Sequence, residues 1–150
     1  MQVNTRHFGL IEIDEKGIID FSEGVPGFRD ARKFVLLGKI EDDAPFQWLQ
    51  SVDNPDIAFV VINPFMFKPD YDIDIDDGEV ENLDIKDISK VLVYSIVVIP
   101  EDVTKMTANL KAPVLINTEN NRGKQVTLEK GNYEIRHYIM DELRKVRGQK

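Results

Sequence analysis

Cysteine is absent from this 150-residue chain, which excludes disulfides, thiolate catalysis and cysteine-ligated zinc. Histidine is scarce, so His7 and His137 are the sole imidazole candidates for acid–base chemistry. His137 and Asp141 have i, i+4 spacing, but no Ser, Thr or Lys is visibly poised with them to act as a nucleophile. No Gly-rich phosphate loop is present: Gly24 and Gly27, with Pro26 between them, do not follow that pattern. Long apolar runs are missing too. Val91 to Ile99 is the longest strong run, is broken by Tyr94 and Ser95, and is far too short to cross a bilayer. The stretch from Met1 to His7 lacks the apolar core of a signal peptide. These absences together lead to the expectation of a cytoplasmic protein without membrane contact, cofactor, metal or catalytic group.

What is present is an ordinary globular composition with an unusual distribution of charge. Hydrophobic residues make up 42% of the chain, enough for one domain over residues 1–150 that buries roughly 68–70% of its unfolded surface. The net charge of −8 is concentrated. Between Asp70 and Asp87 stand nine acids and one base, Lys86, while the rest of the chain balances 18 acids with 18 bases. From Arg122 to Lys150 the sign reverses, with eight bases and four acids. An acidic domain of this kind binds nucleic acid poorly, because that affinity comes largely from Lys and Arg on phosphates. No direct nucleic-acid contact is expected, and nothing indicates obligate oligomerisation.

Short β-type runs dominate the pattern. Leu10 to Ile13 alternates, Lys16-Gly17 turns, and Ile18 to Phe21 continues. Phe34 to Leu37 reads as a buried strand. Phe46 to Val52 and Ile57 to Ile62 form a hairpin across Asp53-Asn54-Pro55-Asp56. Val91 to Ile99 is the longest strand, and Val114 to Asn117 pairs with Gln125 to Leu128. Pro113 suits a strand entry. A short helix is expected from Asp76 or Asp77 to about Leu83. A second, within a basic C-terminal helix or tail at about 139–150, places Ile139, Leu143 and Val146 on one side. The fold class is therefore mainly β: a small antiparallel β-barrel or sandwich with one or two short helices.

Three segments invite a functional reading. Phe21 to Phe28 reads FSEGVPGF, where Pro26 fixes φ and Gly27 takes φ > 0, giving a type II turn that carries two apolar side chains, Val25 and Phe28. Pro64 to Pro69 is a dense apolar knot holding Phe65, Met66 and Phe67. In the acidic block, Asp72, Asp74 and Asp76 match the first positions of a calcium loop. Asp77 then stands where glycine belongs and Leu83 where the bidentate Glu is needed. The alternation instead reads as a strand, with Tyr71, Ile73 and Ile75 inward and the aspartates outward. Trp48 reads as a core residue on an alternating strand.

Five stretches, in order and at matching spacing, resemble the bacterial flagellar assembly factor FliW family. They are FSEGVPGF at 21–28, FVLL at 34–37, FQWLQSVDNPDIAFVVINPF at 46–65, TANLKAPVLIN at 107–117 and KQVTL at 124–128. The resemblance extends to about Tyr138. It implies a barrel-like, non-enzymatic protein with two protein partners: cytoplasmic flagellin, and the RNA-binding translational repressor CsrA. Free of flagellin, such a protein would bind CsrA and relieve repression of flagellin synthesis.

On this reading Val25, Phe28, Phe65 and Phe67 are expected to supply apolar anchors for a partner. Asp70, Asp72, Asp74, Asp76 and Asp77 are expected to attract a basic surface. Gly24, Pro26, Gly27, Asn109, Pro113 and Asn117 are expected to shape the motifs structurally. The competing expectation is a small-molecule-binding β-barrel module with Trp48 and nearby phenylalanines lining its pocket.

Overall fold

The computed structural model describes residues 1–38 and 45–148. Eleven strands and one α-helix are described: β1 (Gln2–Thr5), β2 (Gly9–Glu12), β3 (Ile19–Asp20), β4 (Lys33–Leu37), β5 (Gln47–Ser51), β6 (Ala58–Ile62), β7 (Val91–Val98), β8 (Thr107–Ala108), β9 (Val114–Asn117), β10 (Arg122–Gln125), β11 (His137–Tyr138) and α1 (Ile139–Gly148). β3 to β7 are each hydrogen-bonded antiparallel to the next. β7 then pairs with β9, β9 with β10, and β10 returns to β3 in parallel. The result is a closed seven-stranded barrel, a geometry that removes exposed sheet edges. The antiparallel barrel expectation holds, with that one parallel seam added.

Opposite faces of the barrel strands feed two different cores. Phe21, Phe34, Leu49, Val61, Tyr94, Val114 and Ile116 fill the interior. Their neighbours Ile62, Val97 and Leu115 point outward, as the two-residue period of a strand requires. That outer face is covered by residues 63–90 and by the chain after β10, through Phe67, Tyr71, Leu83, Val126, Leu128 and Ile139. The barrel wall is thus buried on both sides over β6, β7 and β9.

β7 is long enough to serve two partners along one edge. Its first half pairs Tyr94 with Val114, and its second half pairs Val97 with Ala108. Three steps along β7 therefore correspond to six on the opposing chain. The surplus is looped out between β8 and β9. There the Ala112 amide donates to Asn109 Oδ1 at 3.0 Å, and Pro113 closes the detour immediately before β9.

Several local expectations are corrected. Tyr71 to Asp76 keeps the inward–outward alternation but has no ladder partner, so it is an extended strap rather than a strand. The helix over Asp77–Leu83 forms, but as 3₁₀ turns: seven residues that include Gly78 are too short to propagate an α-helix on their own. β2 pairs with β1 in a separate two-stranded sheet, and Val114 to Asn117 pairs with Arg122 to Gln125 rather than with Gln125 to Leu128. Trp48 lies on the outer face of β5 in aromatic contact with His7 and Phe8, at centroid distances of 5.9 and 5.3 Å. It is therefore not an interior residue, and the barrel interior itself is filled by packed side chains. α1 begins at Ile139 as expected, and residues 149–150 of the expected tail lie outside the described residues.

Candidate functional site

The FSEGVPGF turn closes one end of the barrel. The Phe28 amide donates to the Val25 carbonyl at 2.7 Å, and Gly27 has φ +87°, as a type II turn demands. Val25 is only 3% exposed and belongs to the interior core. Phe28 is 44% exposed and packs edge-on against Phe59 at 5.7 Å. Gly24 sits at φ +69° against the backbone of Arg29. The expectation that Val25 anchors a partner is corrected: burial of its side chain holds the turn down, and of the two Phe28 is the one that offers apolar surface. Pro26 is exposed and, with Gly24 and Gly27, sets the turn's path.

A parallel division occurs in the Pro64–Pro69 knot. Pro64 leads a 3₁₀ turn whose start is capped by Asn63, its Oδ1 accepting from the Phe65 amide at 3.0 Å. This turn sends Phe67 inward, 1% exposed, and leaves Phe65 40% exposed. Phe67 is therefore also corrected from anchor to core. Phe65 remains at the surface, tilted against Tyr71 at 5.8 Å.

The acidic strap is fastened by groups on both of its faces. Tyr71 is buried, its hydroxyl donates to the Leu110 carbonyl, and burial pushes the phenol up beyond its ordinary range, so it stays a neutral donor. Tyr133 stacks edge-on against Tyr71 at 4.8 Å, and its hydroxyl accepts from the Asp72 amide at 2.8 Å. Further along, buried Asn117 on β9 donates through Nδ2 to the carbonyls of Leu83 at 2.8 Å and Asp84 at 3.3 Å. Asn120 also donates to Leu83, at 2.9 Å, and Lys124 Nζ donates to the Glu79 carbonyl at 2.7 Å. The block of negative charge is consequently pinned to the barrel at both ends.

Much of that charge is uncompensated. Asp70 pairs with Lys68 at 3.5 Å, Asp74 with Lys130 at 3.4 Å and Glu79 with Lys124 at 3.9 Å. Among the described residues Asp72, Asp76, Asp77, Glu81, Asp84 and Asp87 make no ion pair, and all six are exposed. The Ser89 hydroxyl and amide both donate to the Asp87 carboxylate and hold its pKa below the usual value. Among the described residues no group of three or more His, Cys, Asp or Glu is arranged to hold a metal ion. His137 meets Glu142 at 3.5 Å rather than Asp141, because α1 starts only after it.

The strap does not cover the outer wall completely. A groove of about 540 Å³ remains between them, floored by Val91, Val93 and Leu115. Its walls are Ile73 and Ile75 from the strap, Val80 from the 3₁₀ turns that follow and Ile85 just beyond them. Phe65 forms one lip, and Ile88, 84% exposed, another. Asp77 is the lone acid among the lining residues. Sequence reasoning missed Ile88, whose apolar side chain stands between Asp87 and Ser89 with no period to mark it. Ile73 and Ile75 do turn inward as the alternation indicates, and the same two side chains also wall the groove.

A closed barrel with a filled interior and an apolar groove on its outer wall defines the chain as a small β-barrel protein. The profile of the FliW protein family matches residues 2–139, and the chain belongs to that family of flagellar assembly factors. It is 51% identical over 144 residues to the flagellar assembly factor FliW of Caldanaerobacter subterraneus subsp. tengcongensis, covering 96% of each chain. With the corresponding protein of Ruminiclostridium cellulolyticum it shares 49% identity over 145 residues, 97% of this chain and 98% of that one. A crystal structure of the flagellar assembly factor FliW superposes with a TM-score of 0.86 at 41% identity, covering 93% of this chain and 96% of the other. No described helix is long and apolar enough to cross a membrane.

Proposed function

We propose that this chain is a non-enzymatic, partner-switching regulator in the cytoplasm. It binds flagellin there and, when free of flagellin, binds a CsrA-type RNA-binding translational repressor and antagonises it. The observation that carries this reading is the rigid acidic strap. Six exposed carboxylates without ion-pair partners among the described residues stand on the segment that walls an apolar groove, so the surface attracts a basic RNA-binding protein and repels RNA phosphates from the same neighbourhood. Family membership supports the flagellar context.

Titration calorimetry against purified repressor tests the electrostatic half of the proposal. Asp72→Asn, Asp74→Asn and Asp76→Asn together remove three exposed rim charges worth about 0.5 kcal/mol each, or about tenfold in affinity. The expected result is weaker binding with a flatter dependence on ionic strength. Unchanged affinity and salt slope would refute the role of the strap.

A further inference from the structure

We infer that the groove between the strap and the outer wall seats the apolar face of a basic amphipathic helix supplied by a protein partner. Phe65 and Ile88 are its contact lips, and the strap's carboxylates are its charge match. The inference deepens the partner-binding reading above and rests on it.

Four observations define the occupant. The groove's volume of about 540 Å³ lies within the roughly 300–1,000 Å³ of sites that enclose whole ligand groups. Its floor and walls are aliphatic, so what enters must be apolar. Ile88 at 84% exposure and Phe65 at 40% flank the same opening and extend it into a contiguous apolar surface rather than scattered single residues. Asp77 lines it, and Asp72 and Asp76 adjoin its lining residues Ile73 and Asp77 in the chain, all three without ion-pair partners among the described residues. An acidic segment would therefore meet repulsion and a basic one attraction.

The floor also favours a helix over an added strand. Val91 to Tyr94 and Val114 to Asn117 are already paired with each other, so the floor presents side chains where a docking strand would need a free ladder between them. A helix satisfies its own backbone and reaches a groove through side chains at i, i+3, i+4 and i+7, spanning about 10 Å. The chain's own basic helix α1 is not available to fill the site in a second copy. Its Ile139 is buried and its Leu143 is packed in the same outer layer.

The test uses an 18-residue Leu/Lys peptide patterned as an amphipathic helix, with a scrambled peptide of equal composition and a Leu/Glu peptide of the same pattern. Each carries fluorescein, and binding to the full chain is read by anisotropy. The patterned basic peptide is expected to bind at least tenfold tighter than its scramble, and the Leu/Glu peptide not to bind. Phe65→Ser with Ile88→Ser, both at exposed positions, is expected to abolish that preference while leaving the thermal transition in place. Equal binding of patterned and scrambled peptides, or a preference that survives the double substitution, would overturn the inference. Flagellin and the repressor are titrated in parallel against wild type and the double variant. If both proteins bind the two alike, the groove inference falls and partner switching stands. If neither binds wild type while the peptide preference holds, partner switching falls and the groove stands.

Discussion

Substituting alanine at Gly24 separates two costs that the GVPG turn imposes, with Gly27 as a control only three residues away. Both glycines have positive φ, +69° and +87°, so alanine at either pays about 1–2 kcal/mol of backbone strain. Their surroundings differ. A Cβ on Gly27 meets nothing within 4 Å, whereas one on Gly24 meets the carbonyl oxygen of Arg29 at 2.4 Å and its Cα at 2.7 Å. Those are main-chain atoms on the far side of the turn, so the turn must open. Displacement of packed backbone adds about 1–3 kcal/mol. Moving Val25 out of the core would draw on the same range. Gly24→Ala is therefore expected to cost about 3 kcal/mol and Gly27→Ala about 1 kcal/mol, or about 6–12 °C against about 2–4 °C in Tm for a chain of this length. Urea and thermal melts followed by far-UV circular dichroism measure both. Equal losses at the two positions would show that the close approach to Arg29 contributes nothing, and the account of the turn as a barrel closure would fail.

Two further substitutions test how the outer layer is fastened. Asn117→Ala removes the donor to Leu83 and Asp84 and the acceptor of the Glu119 amide at 3.1 Å. It is expected to cost about 2 kcal/mol and to speed amide exchange at Asp84. A loss under about 0.5 kcal/mol would mean that the strap is held elsewhere. Glu142→Ala leaves Lys68, His137 and Lys145 facing a vacated, nearly buried position, from distances of 3.7, 3.5 and 3.4 Å. The expected cost is about 1–2 kcal/mol, below that of a fully buried pair because both lysines keep contact with water. It should be confined to α1 in a proteolysis time course, and global destabilisation would contradict the assignment.

The strands were legible where the sequence carries both a period and a punctuation mark. Val91 to Val98 ends before Pro100, and the β5–β6 hairpin turns on Asp53-Asn54-Pro55-Asp56. Ring closure was not, because the pairing of Asp20 with Arg122 joins residues that share no local pattern. Tyr71 to Asp76 shows the same division. Its alternation correctly told which side chains turn inward, but a strand also needs a hydrogen-bonding partner, and only tertiary placement supplies or withholds one. Val25 and Phe67 show the limit for candidate sites. Each sits two or three residues from an exposed aromatic, and the turn geometry alone decides which of the two is swallowed by the core. The acidic strap was visible in the charge count, while the groove beneath it exists only through contacts between distant segments.

The parallel seam gives the barrel a built-in order of opening. Six of its seven joints are antiparallel, and most run over three or four residue pairs. The seventh is registered at Arg122 and Asp20 alone, helped by the Asp20 amide donating to the Asn121 carbonyl at 2.8 Å. Thermal breathing is therefore expected to begin at this clasp and to leave the β4–β7 arc intact, with amide exchange at Asp20 faster than in β5 and β6 as its sign. Asp20 leads directly into Phe21 and the GVPG turn. The same stretch of chain thus fastens the clasp and closes the barrel's end, and loosening either loosens both.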